Sequence, residues 1–360
     1  MHKSHRGVFF GRIIYHNGRF NLATRTGLLA MSIVVLTTVP SQAATDSLYA
    51  EANLIGGYSS TERWLGKSMS QRNSLGLEYF RKFSNEYGDY LTFDLQVRLA
   101  YDSSLPRDDA WAIEVHNAWV EYKIGLGKKI VAGHFAPAFG LEPLIDTHGT
   151  LMQTLAPMNI GFKKDWGVGF SGMLGDYDYQ VAAQLGSGMS VRRRDSSGIL
   201  TGRIGTPAGR DLQYGLSLLY GETLKVKGAG TIPRPELARP DAVLKKRVGL
   251  DAQYLYGSYL FKGECAYGED DGMQVLGALI EVDYTVPEVQ ELELQLQGSF
   301  WDRDLSKRET ERVPLTAGLQ YKVTSDLTVR AAWSTDTLSN NSMNKDQMFL
   351  QLYYFAPFWE

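Results

Sequence analysis

The chain has 360 residues, with 37 Lys+Arg against 40 Asp+Glu, 44% hydrophobic residues and a single cysteine, Cys265. One cysteine excludes an intramolecular disulfide and a cysteine-based metal site, and the acidic balance argues against nucleic acid as a partner. After the N-terminal segment no stretch approaches the roughly 18 consecutive apolar residues that a transmembrane helix needs.

Residues 1–43 carry Lys3, Arg6, Arg12, Arg19 and Arg25 and no acid, then the apolar run Gly27-Leu-Leu-Ala-Met-Ser-Ile-Val-Val-Leu36, then Pro40-Ser-Gln-Ala43. A basic start, an apolar stretch too short to span and a small-x-small site predict a secretory signal peptide cleaved after Ala43 or Ala44. Taking those five basic residues from 37 leaves 32 against 40 carboxylates in a mature domain of residues 44–360. An N-terminal membrane anchor is the competing reading.

Downstream, segments of about ten residues alternate apolar and polar side chains, the period of a β-strand with one wet face. The predicted strands begin with 48–57, 74–83 and 90–101. In the third, Phe93, Leu95, Val97 and Leu99 oppose Thr92, Asp94, Gln96 and Arg98. The fourth, 112–123, slips phase near His116, which predicts a bulge. Gly125-Leu-Gly127 turns into 128–135, and a long connection, 137–164, follows. Strands 166–174 and 177–185 flank Gly175-Asp176, and a polar loop with Arg192-Arg193-Arg194 leads to 199–206 and 212–220. After a Pro- and Lys-rich loop come 247–256 and 259–267, joined by Gly257-Ser258, then 273–284.

Strand 289–300 alternates without error: Leu292, Leu294, Leu296 and Phe300 on one face, Glu291, Glu293, Gln295, Gln297 and Ser299 on the other. Strands 312–322, 327–335 and 346–358 complete a count of sixteen, or fourteen without 199–206. Connections after even strands are short and most after odd strands longer, as in outer-membrane barrels. The expected fold is all-β: a transmembrane antiparallel β-barrel whose last strand pairs with the first and leaves no edge. Tyr101, Trp111, Trp166, Tyr220, Tyr284 and Trp301 stand at strand ends, where interfacial aromatic girdles are expected. A soluble β-sandwich or propeller is the alternative, because periodicity does not say which face is inside.

Several segments resemble the phosphate-selective porin O/P family. Gly133-His-Phe-Ala-Pro-Ala-Phe-Gly-Leu-Glu142 is similar to that family's Gly-x-Phe-x-x-Pro-Phe-Gly-Leu-Glu segment. Asp165-Trp-Gly-Val-Gly-Phe-Ser-Gly172, Leu200-Thr-Gly-Arg-Ile-Gly-Thr-Pro207 and Tyr254-Leu-Tyr-Gly-Ser-Tyr-Leu-Phe-Lys-Gly-Glu264 resemble its later strands. The resemblance implies a sixteen-stranded, trimeric porin. It does not place the family's arginine ladder or lysine cluster, so it carries no statement about phosphate.

If the apolar face meets lipid, the polar face lines a channel. Parity then sends Arg98, Lys123, Arg203, Arg247, Lys262, Arg312, Lys322 and Arg330 inward, with Glu51, Asp94, Glu121, Asp251, Glu264, Glu281, Asp283, Glu291 and Glu293. Mixed signs predict wall ion pairs rather than a ring of one charge. The connection 137–164 follows the fifth strand and carries Leu144, Ile145, Leu151, Met152, Leu155 and Met158, which need something to pack on. It is therefore expected to fold into the barrel, an external loop in a trimer contact being the alternative. Its Glu142, Asp146 and His148 would face a constriction opposite Arg98, Arg203 or another wall arginine, with Lys163 and Lys164 at its end.

Together these observations predict an outer-membrane porin of a Gram-negative bacterium, passing small hydrophilic solutes or ions, anions among them, without a cofactor. A homotrimer is expected, with lipid and lipopolysaccharide as neighbours; Arg192, Arg193 and Arg194 are candidates for lipopolysaccharide phosphates or for steering anions. A barrel serving as scaffold or sheath for a partner such as an electron-transfer protein is a second reading. A hydrolase is a third and is disfavoured, since neither Gly-x-Ser-x-Gly nor His-Glu-x-x-His occurs.

Overall fold

A computed structural model of the chain describes residues 43–60, 63–67, 71–103, 110–125, 127–147, 149–189, 197–224, 242–307, 311–337 and 346–359. Residues 1–42 of the proposed signal peptide, His148 and Arg192, Arg193 and Arg194 lie outside the described residues.

Sixteen antiparallel strands form one closed sheet. They are β1 (Ala43–Ser59), β2 (Asn73–Asn85), β3 (Gly88–Tyr101), β4 (Trp111–Gly125), β5 (Lys128–Phe135), β6 (Asp165–Leu174), β7 (Tyr177–Gln184) and β8 (Gly198–Gly205). β9 (Leu212–Leu224), β10 (Ala242–Tyr256), β11 (Tyr259–Asp270), β12 (Met273–Thr285), β13 (Leu292–Asp302), β14 (Pro314–Lys322), β15 (Leu327–Asp336) and β16 (Asp346–Trp359) follow. Two short pieces, Arg63–Leu65 and Glu311–Arg312, extend the sheet beside β1 and β13. Closure comes from β1, which pairs with β2 on one side and β16 on the other, so every strand has two neighbours and no edge remains. The fourteen-strand count falls, because β8 pairs along its length with both β7 and β9.

The faces decide the solvent. Leu54, Ile113, Leu200, Ile280 and Leu350 point outward and are exposed, Ile280 at 69% of its surface, while Asn53, Gln96 and Gln351 point inward and are fully buried. A soluble sandwich would invert that arrangement; an apolar outside and a polar inside is what a barrel in lipid requires. Around the Gly257-Ser258 turn, Tyr254, Tyr256, Tyr259, Phe261 and Tyr284 pack ring against ring, with centroids 4.7 to 6.4 Å apart. This is an interfacial girdle in geometry as well as in composition.

Local irregularities follow the sequence. The phase slip in β4 is a bulge: Gln96 pairs with Asn117 and Val97 with Val115, leaving His116 as the extra residue. Two expectations need correction. The connection after β11 is a two-residue turn, Asp271-Gly272, both at positive φ, so β11 and β12 form a tight hairpin where a longer loop was expected. Trp301 is not a girdle residue. It pairs with Gly277 on the face that carries Gln297, and its ring lies over that glycine and beside the Arg247 guanidinium, 6.0 Å away, inside the barrel.

Candidate functional site

Between β5 and β6, residues 136–164 fold into the barrel and run along its inner wall. The cause is apolar. Phe139, Leu141, Leu155, Ile160 and Phe162 are at most 1% exposed, and Phe139, Ile160 and Phe162 form one cluster with Ile199, Leu219 and Ala266 of β8, β9 and β11. Those three wall residues interrupt an otherwise polar lining and make a seat for the loop. Glycines deepen it: the Phe139 ring lies over Gly249 of β10, and the Met152 methyl over Gly318 of β14, each where a Cβ would come within 2.8 Å. Burying five such side chains is the main attachment, at about 1.5–3 kcal/mol for each fully buried one.

Backbone groups carried inside must find partners, and the wall supplies them strand by strand. The Ala138 amide donates to Thr201 Oγ1 and the Gly140 amide to Ser217 Oγ, both at 3.0 Å. Glu264 of β11 accepts from the Leu141 amide and from Asn159 Nδ2, the latter at 3.1 Å from the end of the single-turn helix α1 (Ala156–Asn159). Gln297 donates to the Gln153 carbonyl at 3.0 Å, and Arg330 Nη1 to the Gly149 carbonyl at 2.8 Å. The loop is thereby fixed from β8 round to β15. Three of the segments that carry the family resemblance meet at its root: Ala138 to Leu141, Thr201 and Glu264.

The residues expected at a constriction separate into three groups. Glu142 and Lys163 are 6% and 2% exposed and turn into the loop itself. Glu142 accepts from the hydroxyls of Thr147 and Thr154, and Lys163 donates to Thr147 Oγ1 at 2.9 Å. Burial pushes the Glu142 carboxyl above its usual range, opposed by the Lys163 charge, and lowers Lys163 to about 8 despite the pull of Glu142. Asp146, by contrast, is exposed at the loop surface. Lys164 donates to Asn117 Oδ1 of β4, and burial lowers its pKa against the pull of Asp146.

The wall arginines form the second group, and each is engaged. Arg98 reaches Glu51 at 2.8 Å by lying across Gly76 of the intervening strand, where a Cβ would stand 2.9 Å from its Cγ. Arg203 crosses Gly215 in the same way and grips both oxygens of Asp251, at 2.5 and 3.0 Å. Arg247 binds Asp270 at 2.6 Å, and Arg330 lies over the Tyr353 ring and donates to Gln320 as well as to the loop. Lys262 bridges Glu281 and Asp283. Arg312 stands alone as the third group, exposed in the two-residue piece Glu311–Arg312 rather than on a full strand.

Sequence reasoning missed Glu78 of β2, which sits on the wet parity of Leu75-Gly-Leu-Glu-Tyr-Phe80. It also assigned no special role to Glu264, whose contacts with the loop lie more than 100 residues away in sequence. The doubled Leu218-Leu219, which breaks alternation in β9, was the available sign of an apolar seat on the inner wall. Among the described residues no group of His, Cys, Asp and Glu is arranged to hold a metal ion.

No family model matches the sequence, and neither does any curated protein. Solved structures do. The chain is similar to an anion-selective porin from Comamonas acidovorans (12% identity, TM-score 0.58), covering 88% of this chain and all of that one. It is similar to the outer-membrane channel DcaP of Acinetobacter baumannii (12%, 0.57; 87% and 97%). It is also similar to OprB of Pseudomonas putida (9%, 0.56; 93% and 96%). At these identities the likeness shows the fold alone and does not reach the phosphate-selective O/P group: the chain has the fold of a sixteen-stranded outer-membrane porin.

Proposed function

We propose that this protein is a porin of a Gram-negative outer membrane, exported by its N-terminal signal and passing small hydrophilic solutes and ions down their gradients. One observation carries the reading. A loop that could lie outside the barrel is instead pinned to the inner wall from β8 to β15, which narrows the lumen. A hydrolase would need a nucleophile and base brought together, whereas the described charges of the lining are engaged in ion pairs and in holding the loop.

The barrel needs no cofactor for this and performs no chemistry, so its selectivity rests on width and lining charge. Anions are within the proposed range of solutes, but Arg98, Arg203 and Arg247 are matched by carboxylates and Arg330 is held under the loop, so they supply no cationic ring. Assembly as a homotrimer, with lipid and lipopolysaccharide around it, is part of the same proposal. The test is planar-bilayer recording of the refolded mature chain in KCl. Discrete ohmic steps are expected, and a membrane that stays silent after verified insertion contradicts the reading.

A further inference from the structure

We infer that the structure holds a site for a single halide ion, of chloride or bromide size, where the returning end of the loop meets the β2 to β4 wall. The place is a cavity whose lining includes Arg72, Ser74, Arg98, Glu114, Lys163 and Lys164, and it offers about 20 Å³ to the centre of a water-sized sphere. That is room for one or two such bodies and too little for phosphate, sulfate or an organic acid. The inference goes beyond the porin reading and does not depend on conduction.

Unspent donors carry it. An ammonium group has three N–H bonds to give, yet among the described residues Lys163 donates only to Thr147 Oγ1 and Lys164 only to Asn117 Oδ1. Neither stands within ion-pair distance of a described carboxylate, unlike Arg72, which binds Glu114 and Asp102, and Arg98, which binds Glu51. Glu142, Asp94 and Asp146 attract the two lysines from further off, while Lys163 feels the like charges of Lys164 and Arg98. Ser74, on the inner face of β2 and 6% exposed, has a hydroxyl with no hydrogen-bond partner. Glu114, the carboxylate on the lining, is held by Arg72 at 3.1 Å.

A buried charge short of partners is costly, and like charges gathered at one place add to that cost. One halide in the cavity accepts from the spare N–H bonds and from the Ser74 hydroxyl together, and its charge offsets the repulsion. Water supplies an acceptor oxygen but no charge. The ion would tie the last residues of the loop, where it rejoins β6, to the wall opposite its apolar seat.

The experiment is heat unfolding of the refolded mature protein in detergent, at fixed pH and ionic strength, in sodium chloride, sodium bromide or sodium gluconate, whose anion is too large for the cavity. The midpoint should lie about 2–4 °C higher in either halide. Lys164→Met should erase that difference, and Lys129→Met, on the wall beside Glu121, should keep it. Crystals grown in bromide should show an anomalous peak beside Lys163 and Lys164, a readout that needs no variant. Equal midpoints in the three salts, a difference that survives Lys164→Met, or bromide crystals without the peak overturn the inference and leave the cavity to water. The porin reading stands in each of those cases, because its own test is conduction.

Discussion

The two sides of the lumen are built differently. From β8 round to β15 the wall is covered by the loop, and there its polar groups are consumed by structure: Thr201, Ser217, Glu264, Gln297 and Arg330 all bind the loop. On β2, β3 and β4 the loop touches the wall through Lys164 on Asn117, and the wall charges pair chiefly with one another: Arg98 with Glu51, Arg72 with Glu114 and Lys129 with Glu121. Side chains of the same chemical type therefore do different work. Glu264 is an anchor holding Leu141 and Asn159, whereas Asp94, equally buried, has an oxygen left over. Charge on a pore wall becomes informative only after the groups committed to holding the loop have been set aside.

The largest effect should come from loosening the covered side. Phe139→Ala removes the ring that fills the space over Gly249, and truncating a buried Phe costs about 3–5 kcal/mol. The loop should detach, so single-channel conductance should rise and become noisy, and protease should cleave within residues 136–164. Unchanged conductance would mean that the loop does not set the width. A smaller effect is expected at the arginine crossings. In Gly215→Ala the new Cβ would lie 2.4 Å from Arg203 Nη2 and must push the guanidinium off Asp251, a loss of about 1–3 kcal/mol measurable by heat unfolding in detergent. Gly202→Ala, with nothing nearer than 3.7 Å, is the matched control and should stay within about 0.5 kcal/mol.

Much of this was legible in residue order. Alternation placed β5 at its observed limits and every other strand within a few residues, and the phase slip at His116 was a true bulge. The inward course of the connection after β5 was legible too, from apolar residues with nowhere to go. Most of what failed shares one physical origin: parity assigns a face but not a partner. Glu142 and Lys163 lie where a constriction was expected, yet each found polar company within the loop. Trp301 fell on the wet parity of its own strand, and its place at the strand end drew attention away from the lumen. The anchors join residues such as Gln153 and Gln297, 144 positions apart, and closure of the barrel brings them together only once all sixteen strands are in register. The Asp271-Gly272 turn is a different case: Asp-Gly flanked by alternating residues is a strong local hairpin signal, and it carries β11 three residues beyond its expected end.

The central claim is that solutes pass beside the inward loop, so the most direct measurement places a reporter on its exposed surface, at Asp146. Cys265, the native thiol, is exposed on the outer face, so the background is Cys265→Ser. Asp146→Cys in that background should conduct, and a bulky, charged thiol reagent added to the bath should reduce the single-channel current in discrete steps that a reductant reverses. Full labelling, verified by mass, with the current unchanged would place the passage elsewhere and contradict the account.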